Sequence, residues 1–233
     1  MIVGFVDKKH IHGMPEVERA NFFSLAELVP AAISEAVGKG YRKYGTSAFS
    51  DLTLLKWLFV KHVADQYPHS IVVYSDVDVV WLEDAAFDLR EAFEGNAQHS
   101  VLIQSQRVSA RVSLPCAGFF AIRGSVEGHH FIDEVIRNFH QHVLGHGDTE
   151  YRDDEHAVRG VIAAMGNSVA ELPQLAYPVG SMARMYADVN IPVSLPKQTP
   201  IIFHANFVIG VEKKLKFIYW FLTEIGRSPD TFS

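Results

Sequence analysis

The run Ser70-Ile-Val-Val-Tyr-Ser-Asp-Val-Asp-Val-Val-Trp81 constrains this chain more than any other stretch. Four of the five residues from Ile71 to Ser75 are apolar or aromatic, and Tyr67-Pro68-His69 supplies a turn signal before them. A short apolar run bounded in this way reads as a buried strand of an α/β sheet. Two acids, Asp76 and Asp78, follow with one residue between them. On a strand that spacing puts both on one face. Adjacent acids repel unless something positive lies between them. At the C-terminal end of a strand in an open α/β sheet, that is often a divalent cation. The competing reading is a solvated turn, because Asp-x-Asp is a common sequence. The apolar Val79-Val80-Trp81 run beyond it speaks against a turn surrounded by water.

The 233 residues suit one large domain spanning 1–233, or at most two small ones. A hydrophobic share of 48% with 21% charged residues allows a sizeable core. The net charge of -6 argues against a general nucleic-acid binder. A single cysteine, Cys116, rules out a disulfide framework and fits a reducing compartment such as the cytoplasm. No apolar run approaches the roughly 18 residues of a membrane span, so an integral segment is not expected. The N-terminal residues lack the basic, apolar and small-residue order of a signal peptide.

Strands and helices alternate along the rest of the chain. Ile2–Val6 reads as a strand ending at Asp7, and 15–37 as helical in parts, broken at Pro30 and closed by Gly38 and Gly40. Ser50 or Asp51 caps a helix to about His62, with Leu52, Leu55, Phe59 and Val63 on one stripe, widened by Leu54 and Leu58. Lys56 and Lys61 fall off that stripe, which makes solvated surface their default reading. A short helix over 84–93 and a strand over 100–104 follow. The mixed segment 107–114 reads as a loop, and 117–122 as a second apolar strand. Phe131, Ile132, Val135, Ile136, Phe139 and Val143 form a helical stripe. Asp153-Asp154-Glu155 opens another helix, where capping alone would explain the acids, and Gly166 ends it. The segment 172–180 is turn-rich, 200–203 is a last short strand, and 213–225 is an aromatic helix.

This alternation gives an α/β class. If the strands ending at 76–78 and at His204 are neighbours, His204 could complete a metal site with Asp78. Imidazole with carboxylates suits Mn²⁺, and carboxylate with phosphate and water suits Mg²⁺. The alternative for His204 is a hydrogen-bonded structural histidine.

The order of the pieces carries a resemblance. Ser47-Ala-Phe49, Leu52-Thr-Leu-Leu-Lys56 and Val72-Val-Tyr-Ser-Asp-Val-Asp-Val-Val-Trp-Leu82 are followed by Ala117-Gly-Phe-Phe-Ala-Ile-Arg123 and Asp153-Asp-Glu-x-Ala157. Leu172-Pro173 with Tyr177-Pro178-x-Gly180, and His204-x-Asn206 with Gly210 and Lys213, complete the series. Taken together, these resemble the nucleotide-diphospho-sugar transferase family of GT-A glycosyltransferases, in register over about 41–217. The resemblance implies a GT-A (Rossmann-like) mixed, mainly parallel sheet flanked by helices on both faces. It implies a nucleotide-diphospho-sugar donor, a UDP-sugar first, with Mn²⁺ or Mg²⁺ held by Asp76, Asp78 and His204. It also implies donor contacts from Lys56, Asp76, Gly118, Asn206, Gly210 and Lys213, with Lys213 on the diphosphate. Asp154 would face the donor sugar, with Asp153 and Glu155 beside it in the catalytic group. The acceptor would be a carbohydrate, a lipid-linked molecule or a protein, selected by loops such as 107–114 and 181–193.

Cys116 and Ala117 stand where the family usually has a polar residue and Ser, and Glu155 stands where it has Gln. Only one clear strand precedes the Asp-x-Asp strand. Either the base-binding region is reduced, or the sequence starts late relative to the family. Two other classes stay open. The strand with Asp-x-Asp-x-Val also fits a haloacid-dehalogenase-like phosphatase, in which the first Asp attacks phosphate. A catalytically inactive sugar-nucleotide-binding protein is the other, because a fold does not guarantee activity.

His129, His130, His140, His142 and His146 tempt a zinc assignment, with His142 and His146 spaced i, i+4. The same helix uses its other face for the core, so these read as solvated residues. The C-terminal helix bears Leu215, Phe217, Ile218, Tyr219, Trp220, Phe221, Leu222 and Ile225, more apolar width than one stripe needs. It packs on its own domain, pairs with a twin subunit in a homodimer, or rests peripherally on a membrane. The expectation is the first or second.

Overall fold

A computed structural model describes residues 2–6, 20–24, 47–109, 112–141, 154–180, 200–206 and 208–228. The chain forms two compact units, Met1–Val72 with Gly124–Met165, and Val73–Arg123 with Gly166–Ser233.

Among the described residues, the first unit contains two strands and three helices. Strands β1 (Ile2–Val6) and β2 (Ala20–Ser24) pair in parallel, with Ile2 opposite Ala20 and Val6 opposite Ser24. The strand at β2 corrects the helical reading of that stretch. A five-residue run such as Ala-Asn-Phe-Phe-Ser is too short for periodicity to separate helix from strand. Pro30, Gly38 and Gly40 lie outside the described residues.

Helix α1 (Ser47–Gln66) starts a turn earlier than expected, so Ser50 and Asp51 lie within it and do not cap it. Thr53 Oγ1 donates to the Ser50 carbonyl at 2.9 Å, a back-bond of the kind Ser and Thr make inside helices. Leu54, Leu55, Trp57, Phe59, Val60, Val63 and Ala64 are buried, so the apolar face is wider than the expected stripe. Trp57 packs edge-on against Phe131 of helix α3.

Helix α3 (Val126–Phe139) is capped by Ser125, whose side chain accepts from Gly128 N–H. It buries Phe131, Ile132, Val135 and Phe139, as the stripe predicts; Val143 lies outside the described residues. Helix α4 (Asp154–Met165) buries Ala157, Val158 and Val161. Asn138 Nδ2 donates to the Ala157 carbonyl at 3.1 Å and ties α3 to α4. A Cβ on Gly160 would stand 2.6 Å from Asn138 Nδ2, so a larger residue there would push that amide aside. Gly166, at φ 54°, ends the helix in the left-handed region, where glycine is favoured.

The second unit carries a four-stranded sheet. Its strands are β3 (Ile71–Ser75), which begins in the first unit, β5 (Val101–Ser109), β6 (Val112–Arg123) and β7 (Val169–Glu171). Their order is β3-β6-β5-β7, with β5–β6 antiparallel and β5–β7 parallel. The sheet is thus mixed, and the α/β class stands. Strands β4 (Val79–Trp81) and β8 (Ile202–His204) form a separate antiparallel pair.

The segment expected to be a loop over 107–114 belongs largely to two paired strands, with Arg107 opposite Ser113 and Ser109 opposite Val112. The segment contains no Pro or Gly, so composition gave no break to read. The pairing slips between Ile103 and Gln104: Ile103 faces Phe120, but Gln104 faces Cys116. Ala117, Gly118 and Phe119 are therefore left as extra residues on β6. Bulges of this kind bend a strand and re-aim its side chains.

Helix α2 (Ala85–Gly95), capped by Asp84, buries Leu89 and Phe93. Helix α5 (Val211–Glu224) buries Phe221 and Leu222 against Leu82, Phe203 and Ala205, with Phe203 stacked on Phe221. The C-terminal helix thus packs within its own unit.

Candidate active site

Strand β3 ends at Ser75, and the two acids follow it in a tight turn into β4. Val79 N–H donates to the Asp76 carbonyl at 3.2 Å, and Asp76 N–H donates to the Gly118 carbonyl at 2.8 Å. The motif thus sits just past the strand rather than on it. Val77, between the acids, is fully exposed. Strand β8 places His204 opposite Val79, and Ala205 N–H donates to the Asp78 carbonyl at 3.0 Å. The convergence of the Asp76 and His204 strand ends occurs as the sequence suggests.

His204 Nε2 lies 3.6 Å from Asp78 Oδ1 and 3.9 Å from Asp76 Oδ2. One ligand atom from each residue lies within 4.8 Å of the others, the one such cluster among the described residues. The remaining atom of each is held by a neighbour. Tyr74 Oη donates to Asp76 Oδ1 at 2.7 Å, Lys214 Nζ pairs with Asp78 Oδ2, and Gln104 Oε1 lies 2.9 Å from His204 Nδ1. Tyr74 is itself stacked on Phe120.

Burial alone would push the His204 imidazole down in pKa, yet facing Cys116 and Asp78 it is raised to about 10. Burial would push Asp78 up, but His204 and Lys214 together hold it well below the usual carboxylate range. Asp78 therefore stays ionised at neutral pH and attracts positive charge.

The donor set fits a divalent cation. Two carboxylate oxygens and one imidazole nitrogen suit Mn²⁺, and the oxygens suit Mg²⁺. Gly118 leaves the space that the cluster occupies. A Cβ there would stand 2.8 Å from both Asp76 Oδ2 and His204 Nε2 and would collide with His204 Cε1.

The other expected residues divide. Lys213 is exposed, and its neighbour Lys214 is the one that reaches Asp78. Asn206 Oδ1 accepts from Gly180 N–H at 2.7 Å, and its Nδ2 donates to Cys116 Sγ at 3.5 Å, so its amide braces this unit. Gly210, at φ 97°, opens helix α5.

In the first unit, Lys56 pairs with Asp154, and only 7% and 5% of these residues are exposed. Burial overturns the solvated reading of Lys56. Lys61, by contrast, is partly exposed and pairs with Asp133 and Asp65. Glu155 pairs with Arg159 at 3.3 Å. Asp153, His142 and His146 lie outside the described residues. His129 and His130 approach the carboxylates Asp65 and Glu134, at 3.4 and 3.9 Å.

Sequence reasoning missed Tyr74, Gln104 and Lys214 as parts of the site. Tyr74 is two residues before Asp76, the spacing that shares a face on a strand. Gln104 is a polar residue closing the apolar run Val101-Leu102-Ile103.

An α/β chain with Asp-x-Asp beyond a strand, and a histidine brought to it from a second strand, has the make-up of a GT-A glycosyltransferase. The family model described as nucleotide-diphospho-sugar transferase matches residues 22–218, and the chain belongs to that family. This sets aside the phosphatase alternative.

A curated Arabidopsis thaliana protein, UDP-D-xylose:L-fucose alpha-1,3-D-xylosyltransferase 3, is 22% identical over 205 residues. That match covers 82% of this chain but 51% of the relative, so the chain spans about half its length. The solved galactosyltransferase LgtC, with donor and acceptor sugar analogs, superposes with a TM-score of 0.52 at 12% identity, covering 93% of each chain. Mouse xyloside xylosyltransferase 1 gives a TM-score of 0.46 at 12% identity, covering 82% of this chain and 77% of its own. The LgtC likeness bears on the fold alone. Among the described residues no helix is long and apolar enough to cross a membrane.

Proposed function

We propose that this chain is a metal-dependent glycosyltransferase that moves a sugar from a nucleoside diphosphate sugar to a hydroxyl-bearing acceptor. The observation that carries the reading is the convergence of Asp76 Oδ2, Asp78 Oδ1 and His204 Nε2, each residue steadied by a neighbour on its far side. These three atoms would hold Mn²⁺ or Mg²⁺. The cation would stabilise the charge that builds on the diphosphate as the glycosidic bond breaks.

Lys214 has an attached role. In the structure it neutralises Asp78. With a cation on Asp78, the Lys214 ammonium would be free to meet the diphosphate, the part first expected of Lys213. Asp154, held by Lys56, is proposed to meet the donor sugar, with Asp153 as the capping residue beside it and Glu155 engaged with Arg159. Asp154→Asn is then expected to lower turnover more than donor affinity. Gly118 serves by leaving room for the ligands, and Asn206 and Gly210 by shaping the approach to α5.

The first donor to test is UDP-xylose and the first acceptor L-fucose, following the name of the plant relative. The test is a panel of sugar nucleotides with Mn²⁺, read by release of nucleoside diphosphate. Release dependent on both donor and cation supports the proposal. Release of inorganic phosphate would mean a phosphatase, and no release across donors and acceptors would favour an inactive binding protein.

A further inference from the structure

We propose that Gln104 is a positioning residue that fixes which nitrogen of His204 faces the metal cluster. This rests on the metal-binding reading above.

The inference begins with the orientation of the Gln104 amide, which is fully buried on β5 at the slip in the β5–β6 pairing. Its Nε2 lies 3.0 Å from the Tyr177 carbonyl and 3.2 Å from the Pro178 carbonyl. Carbonyl oxygens only accept, so the amide nitrogen must be on that side and Oε1 on the other. Oε1 is 2.9 Å from His204 Nδ1. An amide oxygen also only accepts, so Nδ1 carries the hydrogen. A neutral imidazole protonated at Nδ1 has its lone pair at Nε2. That is the nitrogen turned toward Asp76 and Asp78.

The two partners are also locked to each other. The Pro178 carbonyl accepts from Gln104 Nε2 and from His204 N–H at 3.1 Å. Gln104 and His204 therefore hang from one point of the backbone. Cys116, opposite Gln104 in the ladder, lies 3.6 Å from His204 Nδ1 and accepts from Asn206. Sulfur is a weak acceptor, so it supports the same tautomer without replacing the amide. A ligating histidine whose other nitrogen is fixed in this way is a better ligand, and loss of such a partner weakens metal affinity about 10–100-fold.

The test measures Mn²⁺ binding to the full chain by calorimetry. Gln104→Met keeps the length but removes the acceptor, and is expected to weaken Mn²⁺ binding about 10–100-fold. Gln104→Glu keeps an acceptor at Nδ1 and should restore affinity to within a few-fold of the native chain. A plain packing role predicts no such rescue, because Glu cannot donate to the two carbonyls.

A second measurement does not depend on the variants folding. In the native chain with ¹⁵N-labelled histidine and Cd²⁺ as the probe, Nδ1 of His204 should carry the proton and Nε2 the metal. The reverse assignment overturns the proposal. So does a folded Gln104→Met chain that binds Mn²⁺ like the native one while His204→Ala does not bind. If His204→Ala binds Mn²⁺ as tightly as the native chain, the metal reading itself has failed.

Discussion

At the scale of single residues, Gly118 is the tightest constraint on the site. Nothing larger than hydrogen fits beneath the His204 ring, because a Cβ would collide with Cε1 and crowd Asp76 Oδ2. Gly118→Ala is expected to displace His204 and weaken Mn²⁺ binding at least tenfold, at a stability cost of about 1–3 kcal/mol for overpacking. Calorimetric titration beside a urea melt checks both halves, and unchanged Mn²⁺ affinity would show that the ring relocates without harm. Lys56 and Asp154 pose a different test. Removing one member of a buried pair leaves the other charge uncompensated, so Lys56→Met should lose about 3–5 kcal/mol. The double variant Lys56→Met with Asp154→Leu should recover most of that stability, because apolar replacement of a buried pair is often neutral. It should not recover transferase activity if Asp154 meets the donor. Chemical denaturation of the two variants and the native chain decides this, and a mild single variant would mean that Asp154 finds another partner.

At the scale of elements, what could be read from the sequence depended on whether an element has a period. Helices α1, α2, α3, α4 and α5 all appear near their expected places, because apolar residues spaced for one helical face leave a pattern over many residues. Strand β2 and the paired ends of β5 and β6 left none. β2 is five residues long, and the slip from Ile103–Phe120 to Gln104–Cys116 is a property of two strands together. Lys214 was hidden for a related reason. Lys213 and Lys214 are adjacent and chemically equal, and only the phase of α5 decides which one faces Asp78. The same helix supports a prediction. Phe221 is buried against Phe203, Leu82 and Ala205, so Phe221→Ala should cost about 3–5 kcal/mol. Truncation after Gly210 should yield insoluble protein, because it uncovers that whole cluster. A soluble, folded and active truncation would show that α5 is an appendage.

At the scale of the whole molecule, the charge balance of the site can be tested by adding a metal and chelating it again. Asp76 and Asp78 were readable as a candidate cation site from their spacing and from the apolar runs around them. The depressed pKa of Asp78 was not readable, because it depends on His204 and Lys214, which come 126 and 136 residues after it (204 − 78 and 214 − 78). In the structure those two groups carry the positive charge that the acids need. A cation bound as proposed would have to displace Lys214 and a proton on His204, and would gain two oxygens and a nitrogen in return. Anything that binds the folded chain and not the unfolded one stabilises it in proportion to the logarithm of its concentration over Kd. Mn²⁺ at one hundred times its Kd should thus add about 2.7 kcal/mol and raise the melting temperature of the native chain, and excess chelator should reverse the rise. Asp78→Ala should melt at a temperature that neither Mn²⁺ nor chelator changes. Removing Asp78 also leaves Lys214 and the buried His204 without their carboxylate, so the variant should be no more stable than the native chain even though two acids no longer face each other. A native chain whose melting ignores Mn²⁺ across a wide concentration range would argue that His204 and Lys214 are the permanent partners of these acids. In that case the cluster would be a structural ion-pair network rather than a metal site.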